Sequence, residues 1–144
     1  MILVFHPKMS DLMILVDNIL PKPLSELELH QLAMNIVGKD LEKDSFEFLS
    51  VNSKLKKDPQ FVCTKDKSLS FIIVKAVLYP KNPNIVEIYK LNELKIHAEK
   101  FNASLFYAGV GLANAENYEY PIFKDSDYVV NFNGIEKIYY RNIG

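Results

Sequence analysis

Apolar and polar positions along this chain follow two periods, and the changes between them mark the elements. Residues 71–78, FIIVKAVL, are almost continuously apolar and rich in β-branched side chains, as expected of a strand covered on both faces at the middle of a sheet. Alternation places Leu69, Phe71, Ile73, Lys75 and Val77 on one face and Ser70, Ile72, Val74, Ala76 and Leu78 on the other. Lys75 is then a single cation inside an apolar stripe. Either its stem packs and its ammonium reaches water at the strand end, or it is held there for chemistry. Upstream, residues 60–64 alternate as a short strand, Asp58-Pro59 marks its entry, and residues 65–68 are polar and few enough to close an antiparallel hairpin.

A helical period occupies the flanks. Ser25 followed by Glu28 is a capping-box pattern, and Leu27, Leu29, Leu32, Ala33, Ile36 and Val37 continue at amphipathic spacing, with Gly38 placed to end the helix. Residues 39–44 then read as a charged connection. Residues 45–51 form a first strand, with Phe46, Phe48 and Ser50 set against Glu47, Leu49 and Val51. Asn84 with Glu87 repeats the capping spacing, and Ile85, Ile88, Leu91, Leu94, Ala98 and Phe101 trace a long second helix that Asn102 would terminate in a left-handed conformation. Residues 104–112 read as another buried strand reached by a crossover, residues 127–132 as a further strand, and Asn133-Gly134 as a turn before a final strand or tail over 135–140. Residues 1–20 hold two apolar clusters whose periodicity does not decide between helix and strand. The pattern predicts an α+β (α/β) domain over 24–144: a mixed central sheet of four to five strands flanked by two helices, in the order α-β-β-β-α-β-β. Residues 1–23 are expected to be an N-terminal extension or edge segment.

Composition narrows the function classes. The chain has 144 residues, is 49% hydrophobic and carries a formal net charge of -1, which suits one globular domain and argues against gripping nucleic acid by bulk electrostatics. The single cysteine, Cys63, excludes an internal disulfide and fits a reducing, cytoplasmic setting; within a strand it reads as a small packing residue. No apolar run reaches the roughly 18 residues needed to cross a bilayer, and no basic leader precedes an uninterrupted apolar core, so neither a membrane span nor a signal peptide is expected. His30 has no second ligand at a recognisable spacing and is expected at the surface or boundary, and His97 beside the second helical stripe is expected in boundary packing. Gly109 and Gly111 do not extend to a dinucleotide fingerprint, since Asn114 stands at the third glycine position; they read as sites of close backbone approach. Asp125 and Asp127 are too few for a calcium loop.

Pro59 at the opening of the second strand and Lys75 after apolar residues in the third, within a layout of helix, strand, hairpin, helix and strand, resemble the PD-(D/E)xK fold of restriction-endonuclease-like proteins over roughly residues 24 to 132. The resemblance implies that the residue after the proline and the residue two before the lysine would hold a divalent cation, Mg²⁺ or Mn²⁺, beside a water that the lysine positions. Here those positions are Gln60 and Ile73. A carboxamide offers one neutral oxygen and an isoleucine offers none, so the resemblance implies a degenerate site with Lys75, Gln60, Asp58 and Glu28 as its vestiges. Some nucleases of this fold also use a glutamate of the first helix, which would nominate Glu28 or Glu26; capping is the competing role for Glu28. Lys54, Lys56 and Lys57 lie just before Pro59, where a nuclease would meet phosphate, or form a solvated turn.

Three functions follow as expectations. The first is a catalytically silent nuclease-fold protein acting as a binding or scaffold module, with no cofactor and no metal. The second is a divergent metal-dependent nuclease whose carboxylates have migrated, drawing on Asp58, Glu28 or Glu47 around Lys75. The third is a small homodimeric binding domain, unrelated to nucleases, that associates through the apolar N-terminal segment and the aromatic C-terminal strands.

Overall fold

The computed structural model describes residues 21–86, 88 and 90–139. The two N-terminal apolar clusters, Glu87 and Tyr140 therefore lie outside the described residues. Helix α1 spans Glu26–Lys43, followed by strands β1 (Glu47–Val51), β2 (Phe61–Lys65) and β3 (Ser68–Leu78), helix α2 (Leu91–Lys100), and strands β4 (Ser104–Asn114), β5 (Tyr128–Asn131) and β6 (Glu136–Ile138). The strands form one mixed sheet in the order β1-β2-β3-β4-β5, with β6 also on β4. Among the described residues six strands replace the expected four to five, because β5 pairs with residues 111–114 of β4 while β6 pairs with residues 105–107 along the same edge. The Asn133-Gly134 signal thus interrupts an edge instead of folding a hairpin.

Helix α1 begins as its sequence dictates. The Ser25 hydroxyl accepts from the Glu28 amide at 3.1 Å and the Glu28 carboxylate accepts from the Ser25 amide at 3.0 Å, and these bonds hold the Glu28 carboxyl below the usual carboxylate range. Its end differs from expectation: Gly38 sits inside the helix, and residues 39–43, expected as a connection, continue it. The stop comes at Ser45, which takes φ 67° while the Phe46 amide donates back to Leu41 at 3.0 Å. Leu41 and Phe46 are both buried in the same core cluster, so a hydrophobic contact closes this Schellman end and outweighs the weak breaking tendency of one glycine. The buried face of α1 is His30, Ala33, Met34, Val37 and Leu41. His30, expected at the surface or boundary, is instead only 5% exposed, because the buried stripe is rotated toward it and away from Leu27, which is exposed.

Helix α2 is shorter than its stripe suggests. Asn84, expected as its cap, lies in a turn where its amide donates to the Asn82 side chain, and α2 starts only after Lys90, at φ 63°. The reason lies across the sheet. Pro83 is buried over Gly109, where any Cβ would collide with the Pro83 carbonyl, and the Tyr107 hydroxyl donates toward the carbonyl oxygens of Pro83 and Ile85, each at 3.2 Å. This pins residues 83–85 as loop, so the glycine permits the close approach that its sequence position suggested. At its other end α2 stops as expected, with Asn102 at φ 53° and the Ala103 amide donating to Ala98 at 2.8 Å.

The hairpin between β2 and β3 turns on Asp66 and Lys67, both at positive φ, the signature of a type I′ turn. β3 and β4 run parallel through nine residue pairs from Ser70↔Ser104 to Leu78↔Leu112, as the crossover through α2 requires. β3 is sandwiched: Ile72 and Val74 pack into the α1-side cluster, Phe71 and Ile73 into the α2-side cluster. Cys63 is buried in the first of these, and burial pushes its thiol up to about 11, consistent with a packing role. Ahead of α1, Pro23 bridges Phe123, and the amides of Leu24 and Lys124 donate to Ile122 and Lys22. The residues just before the helix are thereby fastened to the domain.

Candidate binding cleft

The antiparallel ladder between β2 and β3 ends where Pro59 can no longer donate. The Gln60 amide still donates to Ile72 at 3.0 Å, and the next inward-facing amide of β3, that of Val74, donates to the Gln60 side-chain oxygen at 2.6 Å. The Gln60 Nε2 in turn donates to Asp58 Oδ1 at 2.7 Å and to the Lys57 carbonyl at 3.3 Å. Gln60, 1% exposed, therefore completes the sheet with its side-chain oxygen, which accepts the Val74 amide. Ile73 is fully buried in the α2-side cluster. The two positions that the nuclease resemblance assigns to metal ligands are thus occupied by a ladder substitute and a core residue.

Two residues further along the same face, packing gives way. α2 covers Phe71 and Ile73 but not Lys75, and a cleft of about 920 Å³ opens there. The loop before β2 supplies Lys56 and Asp58, β3 supplies Lys75, Lys90 stands just ahead of α2, and α2 itself supplies Glu93, Leu94 and, from its last turn, His97. The His97 ring is stacked on Phe71 with centroids 5.6 Å apart and meets the edge of Phe101 at 4.9 Å. It packs as expected of a boundary residue while its exposed side faces the cleft. Neither Lys56 nor Lys75 is held in an ion pair among the described residues.

Of the candidates named from sequence, Lys75 and Asp58 meet in this cleft, and Gln60 stands behind Asp58 through its hydrogen bond. Glu28 does not join them, being the partner of Ser25. Glu47 lies opposite Thr64 on the outer side of β2 and does not line the cleft. Glu26 lines a separate cavity of about 130 Å³ with His30, which also touches Gln60, Lys56 and Lys75. There the buried His30 Nε2 has no hydrogen-bond partner among the described residues. Desolvation and the nearby Lys75 charge hold the imidazole below its ordinary value, against the weaker pull of Asp58 and Glu26. Among the described residues no group of three or more His, Cys, Asp or Glu side chains is arranged to hold a metal ion. The sequence reading missed Lys90 and Glu93, whose signal was present: Lys90, Glu93, Leu94 and His97 recur at i, i+3, i+4 and i+7, the spacing of one helical face.

Away from the cleft, Tyr128, Val129 and Val130 on β5 and Tyr139 after β6 are exposed. The N-terminal half of the expected dimer face lies outside the described residues. No helix among the described residues is long and apolar enough to cross a membrane.

Residues 27–138 match a family model described as a domain of unknown function (DUF8840). No curated protein and no solved structure matches the chain.

Proposed function

The chain belongs to the DUF8840 family, and we propose that it is a catalytically silent relative of the PD-(D/E)xK nuclease fold that works as a binding module. The element order α-β-β-β-α-β, with an antiparallel β1-β2-β3 unit and β4 parallel to β3, supports the relationship. The observation that carries the loss of catalysis is the use made of Gln60 and Ile73. A hard divalent cation needs carboxylate oxygens beside the lysine; here one position closes the β-ladder with its carboxamide and the other fills the core. What remains around Lys75 is a cleft bordered by charged side chains, with room for a ligand.

Asp58 and Glu93 both line the cleft of Lys75, and this favours the migrated-ligand nuclease as a second reading. The two readings separate in one assay. The purified chain, incubated with single-stranded or double-stranded DNA and Mn²⁺, is expected to cut neither. Cleavage that Lys75→Ala abolishes would establish the nuclease and remove the silent module.

A further inference from the structure

We propose that the cleft beside Lys75 is a metal-independent site for a nucleoside 5′-monophosphate. The inference rests on the reading of the fold as a silent binding module and gives that module a ligand class. The cleft of about 920 Å³ lies within the roughly 300–1,000 Å³ typical of small-molecule sites. Lys56, Lys75 and Lys90 all line it, and a phosphomonoester dianion is a compact, multiply charged acceptor for lysine ammonium groups. Lys75 stands on a buried strand with its stem half-buried, so its charge is placed by the sheet. With no ion pair among the described residues, its half-buried charge gains more from an anion than that of exposed Lys56.

The rest of the lining selects the carrier of that phosphate. Asp58 and Glu93 are carboxylates in the same cleft, and carboxylates accept hydrogen bonds from sugar hydroxyls. The net charge of -1 agrees with a ligand other than long nucleic acid. Leu94 and the exposed side of the His97 ring form the least polar wall. That ring is fixed in orientation by Phe71 and Phe101 and offers a flat surface on which a base can stack. Phosphate, hydroxyl and base requirements thus fall on different residues of one cleft.

The test is calorimetric titration of the full chain at low salt and pH 7.5, in excess EDTA, with AMP, adenosine and inorganic phosphate as separate probes. AMP is expected to bind saturably with one-to-one stoichiometry, and adenosine and phosphate each to bind at least about tenfold more weakly. Lys75→Met is expected to weaken AMP binding by at least about tenfold, whereas Lys67→Met, on the distant hairpin turn, is expected to leave it unchanged; circular dichroism confirms that both variants are folded. The inference is overturned by no saturable heat up to about 10 mM AMP, by equal binding of adenosine and AMP, or by equal loss in the two lysine variants. AMP binding that vanishes in EDTA and returns with Mn²⁺ would overturn both the metal-independent site and the silent-module reading. Absence of AMP binding under every condition overturns only the former.

Discussion

The two helical layers differ in how much of the sheet they reach, and the candidate site lies in the difference. α1, with 18 residues, is about 27 Å long and buries one face of β3 through a continuous stripe from His30 to Leu41. α2, with 10 residues, is about 15 Å long, against about 36 Å for the 11 residues of β3. It covers Phe71 and Ile73 and stops short of Lys75. Two residues on one face of one strand therefore have opposite fates: Ile73 is sealed into the core and Lys75 lines a cleft. Where a layer is complete the sequence serves stability; where it ends, charged side chains can collect beside a rigid strand at little cost to the core.

The sharpest way to break this comparison is Ile73→Glu, which would restore the acid that the nuclease resemblance calls for. At this position the carboxylate would be buried without a partner, and a loss of roughly 3–5 kcal/mol or more is expected, a large share of the stability of an ordinary domain. Urea denaturation checks it; a stable Ile73→Glu protein would mean that α2 does not seal the strand. A paired measurement compares the layers directly. Leu41→Ala, under the complete layer, is expected to lose about 2–5 kcal/mol, and Leu94→Ala, at the rim of the cleft, about 1 kcal/mol. Equal losses would erase the distinction between the two layers.

Gln60→Ala sharpens the boundary between packed and open halves. It leaves the buried Val74 amide without its acceptor, for an expected loss of about 1–3 kcal/mol and faster hydrogen exchange at Val74, readable by NMR. The smallest effect is in the pH profile. His30 titrates below its ordinary value in the folded chain, so the folded state holds fewer protons than the unfolded one as pH falls from the ordinary histidine value of about 6.5. Its contribution to stability is therefore complete above that value and declines through the acid range beneath it. His30→Leu is expected to flatten this part of the profile, measured as melting temperature against pH relative to the wild type.

Local signals were legible wherever the decision was local. Ser25 and Glu28 cap a helix, Asn102 stops one, and alternation assigns Ile73 and Lys75 to one face of β3. The misread points were settled by distant partners. Gly38 does not end α1, because the burial of Leu41 and Phe46 carries the helix on to a stop at Ser45. Asn84 does not start α2, because Pro83 is drawn onto the sheet over Gly109, a contact between residues 26 positions apart in the chain. His30 faces inward because the stripe of α1 is set by the sheet beneath it. In the site, Lys75 and Asp58 stand out in the sequence, whereas the shared helical face of Lys90 and Glu93 gains its meaning only from the docking of α2 beside Lys75. From the sequence the carboxamide of Gln60 reads only as a poor metal ligand; its hydrogen bond to the Val74 amide shows its other use.

The most direct test of the central proposal, that the cleft at Lys75 binds without a metal centre, is calorimetric titration of the full chain with Mn²⁺. The account predicts no saturable one-to-one binding up to about millimolar Mn²⁺, and the same flat response from Asp58→Ala. Stoichiometric Mn²⁺ binding in the wild type that disappears in Asp58→Ala would contradict it.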